Sequence, residues 1–202
     1  MMEQLNAFSA HGSTLIDIGA ADGYFGVGLV AAGVYTRSVC FERDPVTRES
    51  LLALARLNNV EDRITALGTA DVNSIAELER AGVDLSDAVV LCDIEGGEFD
   101  IFSKELLGKL SKSRIIIELH NNMVENGDSL LQRLVSDAQT YFDISYIETG
   151  PRDPTSIPLL RDMADDDRWL LCSEGRGVYQ NWMVLSPHEP LGNQKPQQST
   201  GA

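Results

Sequence analysis

A short apolar run, followed by two glycines and a helical pattern, constrains this chain more than any other feature. Leu15, Ile16 and Ile18 form a run that is too short for a helix and typical of a buried strand. Gly19 and Gly23 follow, and apolar residues then recur at helical spacing. Such a strand, glycine turn and helix present backbone N–H groups to a ligand, because glycine turns tightly without a Cβ in the way.

The spacing of the glycines separates two kinds of nucleoside site. A dinucleotide fingerprint has a second glycine two residues after the first, but Ala21 stands there. The pattern is instead Asp17-x-Gly19-x-x-x-Gly23. It resembles motif I of the S-adenosylmethionine-dependent methyltransferases, whose sulfonium ligand carries no pyrophosphate for a carboxylate to repel. A turn that uses glycine for packing alone is the alternative.

The composition indicates a folded chain with a strongly acidic surface. Of its 202 residues, 43% are hydrophobic, which suits the core of one domain. The formal net charge of −15, without a cluster of Lys and Arg, opposes phosphate backbones, so we expect no nucleic-acid partner. No basic segment precedes an apolar stretch and no run approaches roughly 18 apolar residues, so we expect neither export nor a membrane partner. Three cysteines in this spacing indicate reduced thiols and a cytoplasmic location.

Strand and helix patterns alternate along the chain. The predicted strands lie near residues 14–18, 38–42, 63–67, 88–94, 114–119, 142–146 and 182–185. The alternation predicts an α/β fold with a doubly wound, mostly parallel sheet of seven strands. We expect residues 1–13 to be a lead-in segment, 14–186 a single domain and 187–202 a disordered tail. The Pro-interrupted segment 150–177 is expected to roof the ligand pocket.

Polar residues mark the starts of several predicted helices. Asp44, followed by proline, is expected to cap one helix. Asp22 and Asp128 are expected to cap two others, and the sequence from Ser74 to Glu77 matches a capping box. One helix is expected between the glycines after the fourth strand and about Leu110.

Ligands of parallel sheets bind beyond the carboxyl ends of the strands, where the strand order reverses. This rule selects Gly19, Glu42, Gly68, Asp93 and His120. Glu42 can accept two hydrogen bonds from ribose hydroxyls, in either a nicotinamide or an adenosylmethionine site. Gly68 and Thr69 are expected beside the adenine, with a plain turn as an equal alternative.

Four motifs in order resemble the FkbM-type family of methyltransferases over roughly residues 14–120. The matching residues are Asp17, Gly19 and Gly23 in D-I-G-A-x-x-G, Glu42 in F-E-R-D, Asp93, Glu95, Gly96 and Glu98 in D-I-E-G-G-E, and Glu118 and His120 in E-L-H. The chain departs from the family at Asp22, at Arg43-Asp44 and at Gly97, and no departure removes a carboxylate. The resemblance implies a class I methyltransferase fold, S-adenosylmethionine as cofactor, and methyl transfer to an oxygen, often of a sugar or polyketide.

The predicted cofactor contacts are Asp17, Gly19, Gly23, Glu42, Gly68 and Asp93. Asp93 and His120 are the predicted catalytic residues, because an alcohol nucleophile benefits from a base within hydrogen-bond reach. Two alternatives stay open: Asp93 can hold the methionine moiety, and His120 can be structural.

A metal is a further alternative. Asp93, Glu95, Glu98, Glu118 and His120 form an acidic group that can bind Mg²⁺ through oxygens. However, Glu98 also suits a helix N-terminus, and Glu95 and Glu118 can pair with basic neighbours. We therefore expect no metal ligand.

The leading hypothesis is an S-adenosylmethionine-dependent O-methyltransferase that acts on a small molecule. A nicotinamide-dependent oxidoreductase shares the carboxylate after the second strand but lacks the fingerprint glycines. A non-catalytic nucleoside-binding module of the same fold would bind the cofactor and transfer no methyl group. The acceptor and the oligomeric state are left open by the sequence.

Overall fold

The computed structural model describes residues 1–71, 74–148, 153–173 and 180–188 and contains one seven-stranded sheet. Its strands are β1 (Thr14–Ile18), β2 (Arg37–Phe41), β3 (Ile64–Leu67), β4 (Ala88–Cys92), β5 (Arg114–Glu118), β6 (Phe142–Glu148) and β7 (Asn181–Pro187). Their order is β3-β2-β1-β4-β5-β7-β6. The first five of these are parallel, and β7 runs antiparallel to both β5 and β6. The prediction of a doubly wound, mostly parallel seven-stranded sheet is confirmed.

Helices cover both faces of this sheet. They are α1 (Met2–Phe8), α2 (Gly26–Ala31), α3 (Pro45–Leu57), α4 (Ser74–Arg80), α5 (Glu98–Ile101), α6 (Lys104–Lys109), α7 (Gly127–Ala138) and α8 (Asp165–Cys172). Successive residues of the central strands belong to opposite faces: Val90 lies in one buried apolar cluster, and Val89 and Leu91 lie in the other. Every residue of β1 and β4 is buried, which explains the continuous apolar run of β4 and the apolar residues Leu15, Ile16 and Ile18 of β1.

The chain order creates a crevice beside β1. From β1 the chain builds β2 and β3 on one side, and then returns to place β4 on the other side. The loops that leave β1 and β4 therefore diverge at the carboxyl ends of two neighbouring strands. Such a switch point is where a ligand is expected to bind in this kind of sheet.

The predicted helix starts have mixed outcomes. Asp44 caps α3 as predicted, because its Oδ1 accepts a hydrogen bond from the Thr47 N–H at 2.7 Å. The prediction for Asp22 is wrong, since α2 begins only at Gly26. Asp128 does not cap α7 either: it lies inside the first turn and accepts a hydrogen bond from the Asn121 side chain at 2.9 Å.

Two further helix predictions differ from the structure. Ser74 is the first helical residue of α4, rather than the cap that precedes it. The helix expected after β4 is two helices, α5 and α6, because Ser103 has an extended backbone and its hydroxyl caps α6 by accepting the Leu106 N–H at 3.2 Å. The sequence signal for this break is a serine at cap spacing before a charged helical turn.

The ends of the chain are described in part. In the expected lead-in, α1 packs Leu5 and Phe8 into the core, and the Leu5 carbonyl accepts a hydrogen bond from the Tyr35 hydroxyl at 2.7 Å. The expected tail lies outside the described residues from position 189 onward, as do parts of segment 150–177. None of the helices in the described ranges combines the length and apolar character that crossing a membrane requires.

Candidate functional site

The turn after β1 fits so closely against the end of β4 that its first position requires glycine. Gly19 has a φ of +88°, and a Cβ at this position would overlap the carbonyl oxygen of Asp93. The N–H groups of Gly19 and Ala20 both donate to the carbonyl oxygen of Phe41, at 2.9 and 3.0 Å. Gly23, at the end of the turn, also has a positive φ of +96°. The turn is therefore held between the ends of β2 and β4.

Glu42 connects this turn to the end of β2. Its Oε2 accepts a hydrogen bond from the Ala21 N–H at 3.0 Å, and its Oε1 accepts one from the Asp44 N–H at 2.8 Å. Ala21 has a φ of +46°, a left-handed conformation that is uncommon for a residue with a side chain. A carboxylate offers about four acceptor positions, so both oxygens can still bind ligand hydroxyls. Glu42 is thus oriented before any ligand arrives.

A cavity of about 560 Å³ opens beyond the ends of β1, β2 and β4. Its volume lies within the range of roughly 300–1,000 Å³ that is typical of small-molecule sites. The acidic residues of its wall are Glu42, Asp71, Asp93, Glu95 and Asp100. Within the described part of the chain, Arg43 is the one basic residue that lines it. This charge favours neutral or cationic ligands over phosphate groups.

The predicted cofactor residues do not all reach this cavity. Gly19, Glu42 and Asp93 line it, together with Asp71 and Asp100, which the sequence analysis missed. Among the described residues, the wall does not include Asp17, Gly23 or Gly68. Gly68 is an exposed turn residue, whereas Thr69, which was expected at the same place, forms part of the wall. A contact of these three residues with the cofactor stays a prediction.

Asp17 lies behind the glycine turn, under the start of α2. It is 2% exposed, and its Oδ2 has no hydrogen-bond partner among the described residues. A Cβ at Gly26 would come within 2.9 Å of this oxygen and would overlap Sγ of Cys40. Burial raises the pKa of Asp17 to about 7. A hydrogen bond from the Gly26 N–H lowers this pKa, and the charge of Glu42 raises it further. Asp17 is thus placed to position the turn that carries Gly19.

A second polar group lies where β4 and β5 end. Asp93 follows β4 and is 33% exposed. His120, two residues after β5, is 1% exposed. Its Nε2 lies 3.6 Å from Oδ1 of Asp93, 3.6 Å from Oε2 of Glu95 and 3.8 Å from Oε2 of Glu118. The two predicted catalytic residues are therefore neighbours, although 27 positions separate them in the sequence.

The electrostatics of this group favour Asp93 as the residue that meets a substrate. Burial raises the pKa of Asp93 to about 7, with Glu118 adding to the effect and His120 opposing it. Burial opposes the charged form of His120, but Glu98, Asp93 and Glu118 outweigh it, so the pKa of His120 lies above its usual value. A carboxyl group that titrates near neutral pH is suited to accept a proton there. Asp93 lines the cavity, whereas His120 lies behind it.

Glu98 holds this group together, a role that the sequence analysis missed. It is completely buried, at 0% exposed. Its Oε2 accepts a hydrogen bond from the Gly96 N–H at 2.9 Å, and its Oε1 accepts one from the His120 N–H at 2.7 Å. Glu98 does begin α5, as its preference for a helix N-terminus predicts, but its carboxylate joins the loops after β4 and β5. The sequence signal for this role is the position of Glu98 at the end of the D-I-E-G-G-E motif.

The loop after β4 has an unusual backbone. Glu95, 70% exposed on the cavity wall, has a φ of +54°, and Gly96 has a φ of +102°. A left-handed conformation at a residue with a long side chain persists only where its surroundings enforce it, and such residues occur often at functional sites. Here the bond from Gly96 to Glu98 supplies that constraint.

Comparison of the sequence with protein-family models found no match, and comparison with the curated proteins found none either. Solved structures do match. One is a putative tRNA (m1A22) methyltransferase from Streptococcus pneumoniae in complex with S-adenosyl-L-methionine, with 17% identity over 94% of this chain and 72% of that one and a TM-score of 0.56. Another is the O-methyltransferase from Bacillus cereus in complex with SAH. It is 12% identical over 92% of this chain and 81% of that one, with a TM-score of 0.60. A third is a precorrin 8W decarboxylase from Methanobacterium thermoautotrophicum. It is 17% identical over 92% of this chain and 88% of that one, with a TM-score of 0.56.

These likenesses define the fold as the Rossmann-like fold of the class I S-adenosylmethionine-dependent methyltransferases. At such low identities they show the fold alone. None of these matches points to the FkbM-type family in particular.

Proposed function

We propose that this chain is an S-adenosylmethionine-dependent methyltransferase that acts on a hydroxyl group of a small molecule. The observation that carries the proposal is the position of Glu42, which lines the cavity beside the Gly19 turn and is fixed by two backbone N–H groups. A carboxylate at this strand end can accept both ribose hydroxyls of a nucleoside. Structures of the same fold hold S-adenosyl-L-methionine or SAH, which supports this cofactor.

The remaining residues of the cavity have roles in this proposal. The bare backbone at Gly19 lets the cofactor approach the turn closely. Asp93, with a pKa raised by burial to about 7, is the base that faces the acceptor, and His120 supports it from the buried side.

The reaction follows from these positions. A lone pair of the acceptor oxygen forms a bond to the methyl carbon, while the carbon–sulfur bond breaks and its electron pair stays on sulfur. The sulfonium becomes a neutral thioether, and the hydroxyl proton passes to Asp93. Holding both reactants in line supplies most of the rate acceleration in such a displacement.

The acceptor is a hydroxyl compound without phosphate groups. The acidic wall and the net charge of −15 oppose a nucleic-acid backbone. The resemblance of four motifs to the FkbM-type family favours oxygen as the atom that is methylated. A tRNA acceptor is the alternative, because a putative tRNA methyltransferase is among the similar structures. We place the activity in the cytoplasm, where free thiols such as those of Cys40 and Cys92 persist.

Calorimetric titration with S-adenosylhomocysteine tests the cofactor. We expect binding to the wild type, and at least tenfold weaker binding to Glu42→Ala, because a charged hydrogen-bond acceptor is lost. The control is Glu49→Ala, an exposed carboxylate on α3 whose ion pair with Arg56 lies on the surface. Absence of heat at millimolar ligand contradicts the proposal, and a response to NADH instead favours an oxidoreductase.

Transfer of a labelled methyl group tests catalysis. Labelled S-adenosylmethionine is incubated with the protein and with separate pools of small hydroxyl compounds and of RNA. Label in the small-molecule pool that decreases in Asp93→Asn supports the proposal. Label in RNA overturns the small-molecule acceptor. Cofactor binding without transfer to any pool indicates the non-catalytic module.

A further inference from the structure

The environment of His120 indicates a ligand that the residues themselves do not supply. The side chain is 1% exposed, and its Nδ1 has no hydrogen-bond partner among the described residues. Its Nε2 faces oxygens of Asp93, Glu95 and Glu118 at 3.6, 3.6 and 3.8 Å, which is beyond hydrogen-bond length. The Nε2 of this buried imidazole therefore makes no hydrogen bond to any of the three carboxylates that it faces.

These separations suit atoms that bind the same ion. Metal–ligand bonds to histidine nitrogen and carboxylate oxygen are about 2.0–2.2 Å, so two ligands of one ion lie about 3.0–4.2 Å apart, depending on the angle between them. One ligand atom each from Asp93, Glu118 and His120 lies within 4.8 Å of the other two.

Glu98 completes the arrangement from the opposite side of the ring. Its Oε1 lies 3.4 Å from Nδ1 of His120 and accepts the His120 backbone N–H at 2.7 Å. The contact between Oε1 and Nδ1 is not a hydrogen bond in the structure. A carboxylate beside this nitrogen is nevertheless the usual neighbour of a metal-bound histidine, in which a hydrogen bond from Nδ1 leaves the Nε2 lone pair free. The ring is thus presented with Nε2 toward the other carboxylates.

We propose that Asp93, Glu118 and His120 bind a divalent transition-metal ion that in turn binds the acceptor hydroxyl. The proposal rests on the methyltransferase function proposed above. One imidazole nitrogen with carboxylate oxygens suits ions such as Mn²⁺ or Co²⁺ better than Mg²⁺ or Ca²⁺, which prefer oxygen ligands alone. Three protein ligands leave positions open, and Asp93 and Glu95 line the cavity from which a substrate arrives.

In this arrangement, Glu118 and His120 act on the acceptor through the ion, and Asp93 both binds the ion and faces the acceptor. The bound ion lowers the pKa of the acceptor hydroxyl. The O–H bond of the acceptor breaks and its proton passes to the carboxylate oxygen of Asp93 that does not bind the ion. The acceptor oxygen then attacks the methyl carbon, while the carbon–sulfur bond breaks and its electron pair stays on sulfur.

This proposal departs from the sequence-based expectation of no metal ligand, which rested on Glu98 suiting a helix N-terminus and on Glu95 and Glu118 being able to pair with basic neighbours. In the structure the basic neighbour of both carboxylates is His120, and the proposal assigns that imidazole to the ion.

Metal titration of the chelator-treated protein tests the site directly. Titration with Mn²⁺ alone, followed by calorimetry, is expected to show one equivalent, and Co²⁺ is expected to give visible absorption bands typical of a bound ion. His120→Gln is expected to weaken Mn²⁺ binding at least tenfold. The control is His188→Gln, because His188 also lies beside a carboxylate, 3.7 Å from Oδ1 of Asp143, but on the exposed surface.

Asp93→Asn provides a second test, since Asp93 is partly exposed and its loss is tolerated more readily than that of a fully buried group. Weaker Mn²⁺ binding in this variant, with an unchanged circular dichroism spectrum, supports the site. The proposal is overturned if the wild type binds no Mn²⁺, if both variants bind it like the wild type, or if Mg²⁺ competes equally with Mn²⁺. S-adenosylhomocysteine binding is measured in parallel. If the protein binds the nucleoside but does not bind Mn²⁺, the metal site alone is overturned. If it binds Mn²⁺ but does not bind the nucleoside, the proposed function alone is overturned.

Discussion

The carboxylate of Glu98 joins the loop after β4 to the residue that follows β5 by accepting the N–H of His120 at 2.7 Å. Its second oxygen accepts the Gly96 N–H at 2.9 Å, so one buried side chain fixes the backbone on both sides of the candidate site. The position of His120 beside Asp93 therefore depends on a residue that faces neither the cavity nor solvent.

Replacing Glu98 with glutamine is expected to destabilise the protein. The amide keeps one acceptor oxygen, but its NH₂ group faces a backbone donor, and a buried unsatisfied group of this kind costs about 1–3 kcal/mol. Urea unfolding measures the effect. The control Glu105→Gln, whose exposed side chain pairs with Lys109 on the surface of α6, is expected to change stability by less than about 0.5 kcal/mol. Equal effects of the two variants contradict the bridging role of Glu98.

Replacing Gly19 with alanine is expected to abolish cofactor binding and to lower stability. The new Cβ overlaps the carbonyl oxygen of Asp93 at a φ of +88°, so the turn has to move away from β4. The matched control is Gly28→Ala, in an exposed position of α2 where a Cβ meets no atom within 4 Å. That variant is expected to gain about 0.5–1 kcal/mol, because alanine favours a helix. Nucleoside titration and thermal unfolding give both readouts, and normal binding by Gly19→Ala refutes the tight turn.

Stability is expected to fall with rising pH because of Asp17. Burial raises the pKa of the Asp17 carboxyl from 3.8 to about 7. At pH values between these two, the carboxyl is protonated in the folded state and ionised in the unfolded state. This contribution is fully present below pH 4 and is lost as pH rises through 7. At about 1.4 kcal/mol per unit, the loss is on the order of 4 kcal/mol.

Asp17→Asn removes this dependence, since the amide does not titrate. Unfolding measured from pH 4 to pH 8 is expected to show that the variant gains stability relative to the wild type as pH rises. Asp62→Asn, an exposed position beside β3, serves as the control. If the free energy of unfolding of Asp17→Asn and that of the wild type change in parallel over this pH range, Asp17 does not have a raised pKa in the folded state.

Gly26 and Cys40 are expected to be energetically coupled. A Cβ at Gly26 overlaps Sγ of Cys40, so Gly26→Ala should destabilise by about 1–3 kcal/mol through overpacking. Removing the sulfur with Cys40→Ala makes room, and the double variant should be more stable than the sum of the single effects predicts, by about 0.5–3 kcal/mol. Cys92→Ala combined with Gly26→Ala is the control, because Cys92 lies in the other buried cluster. Additive effects in both pairs are incompatible with this contact.

The sheet was predictable because its signals are local. A central parallel strand is covered on both faces, so the fully buried β4 is apolar at every position and β1 is apolar except at Thr14 and Asp17. The turn at Gly19 and the cap at Asp44 likewise depend on neighbours within a few residues. Helix starts such as that of α2 were less predictable, because packing against the sheet decided where the turn ended and the helix began.

By itself the sequence determined the alternation of strands and helices, the glycine turn, and the placement of carboxylates at strand ends. Only the tertiary structure decided that Asp17 is buried behind the turn whereas Glu42 lines the cavity, and that Glu98 supports His120. The physical reason is that local backbone conformation follows from neighbouring residues, whereas burial and electrostatic partners depend on which distant loops the sheet order brings together.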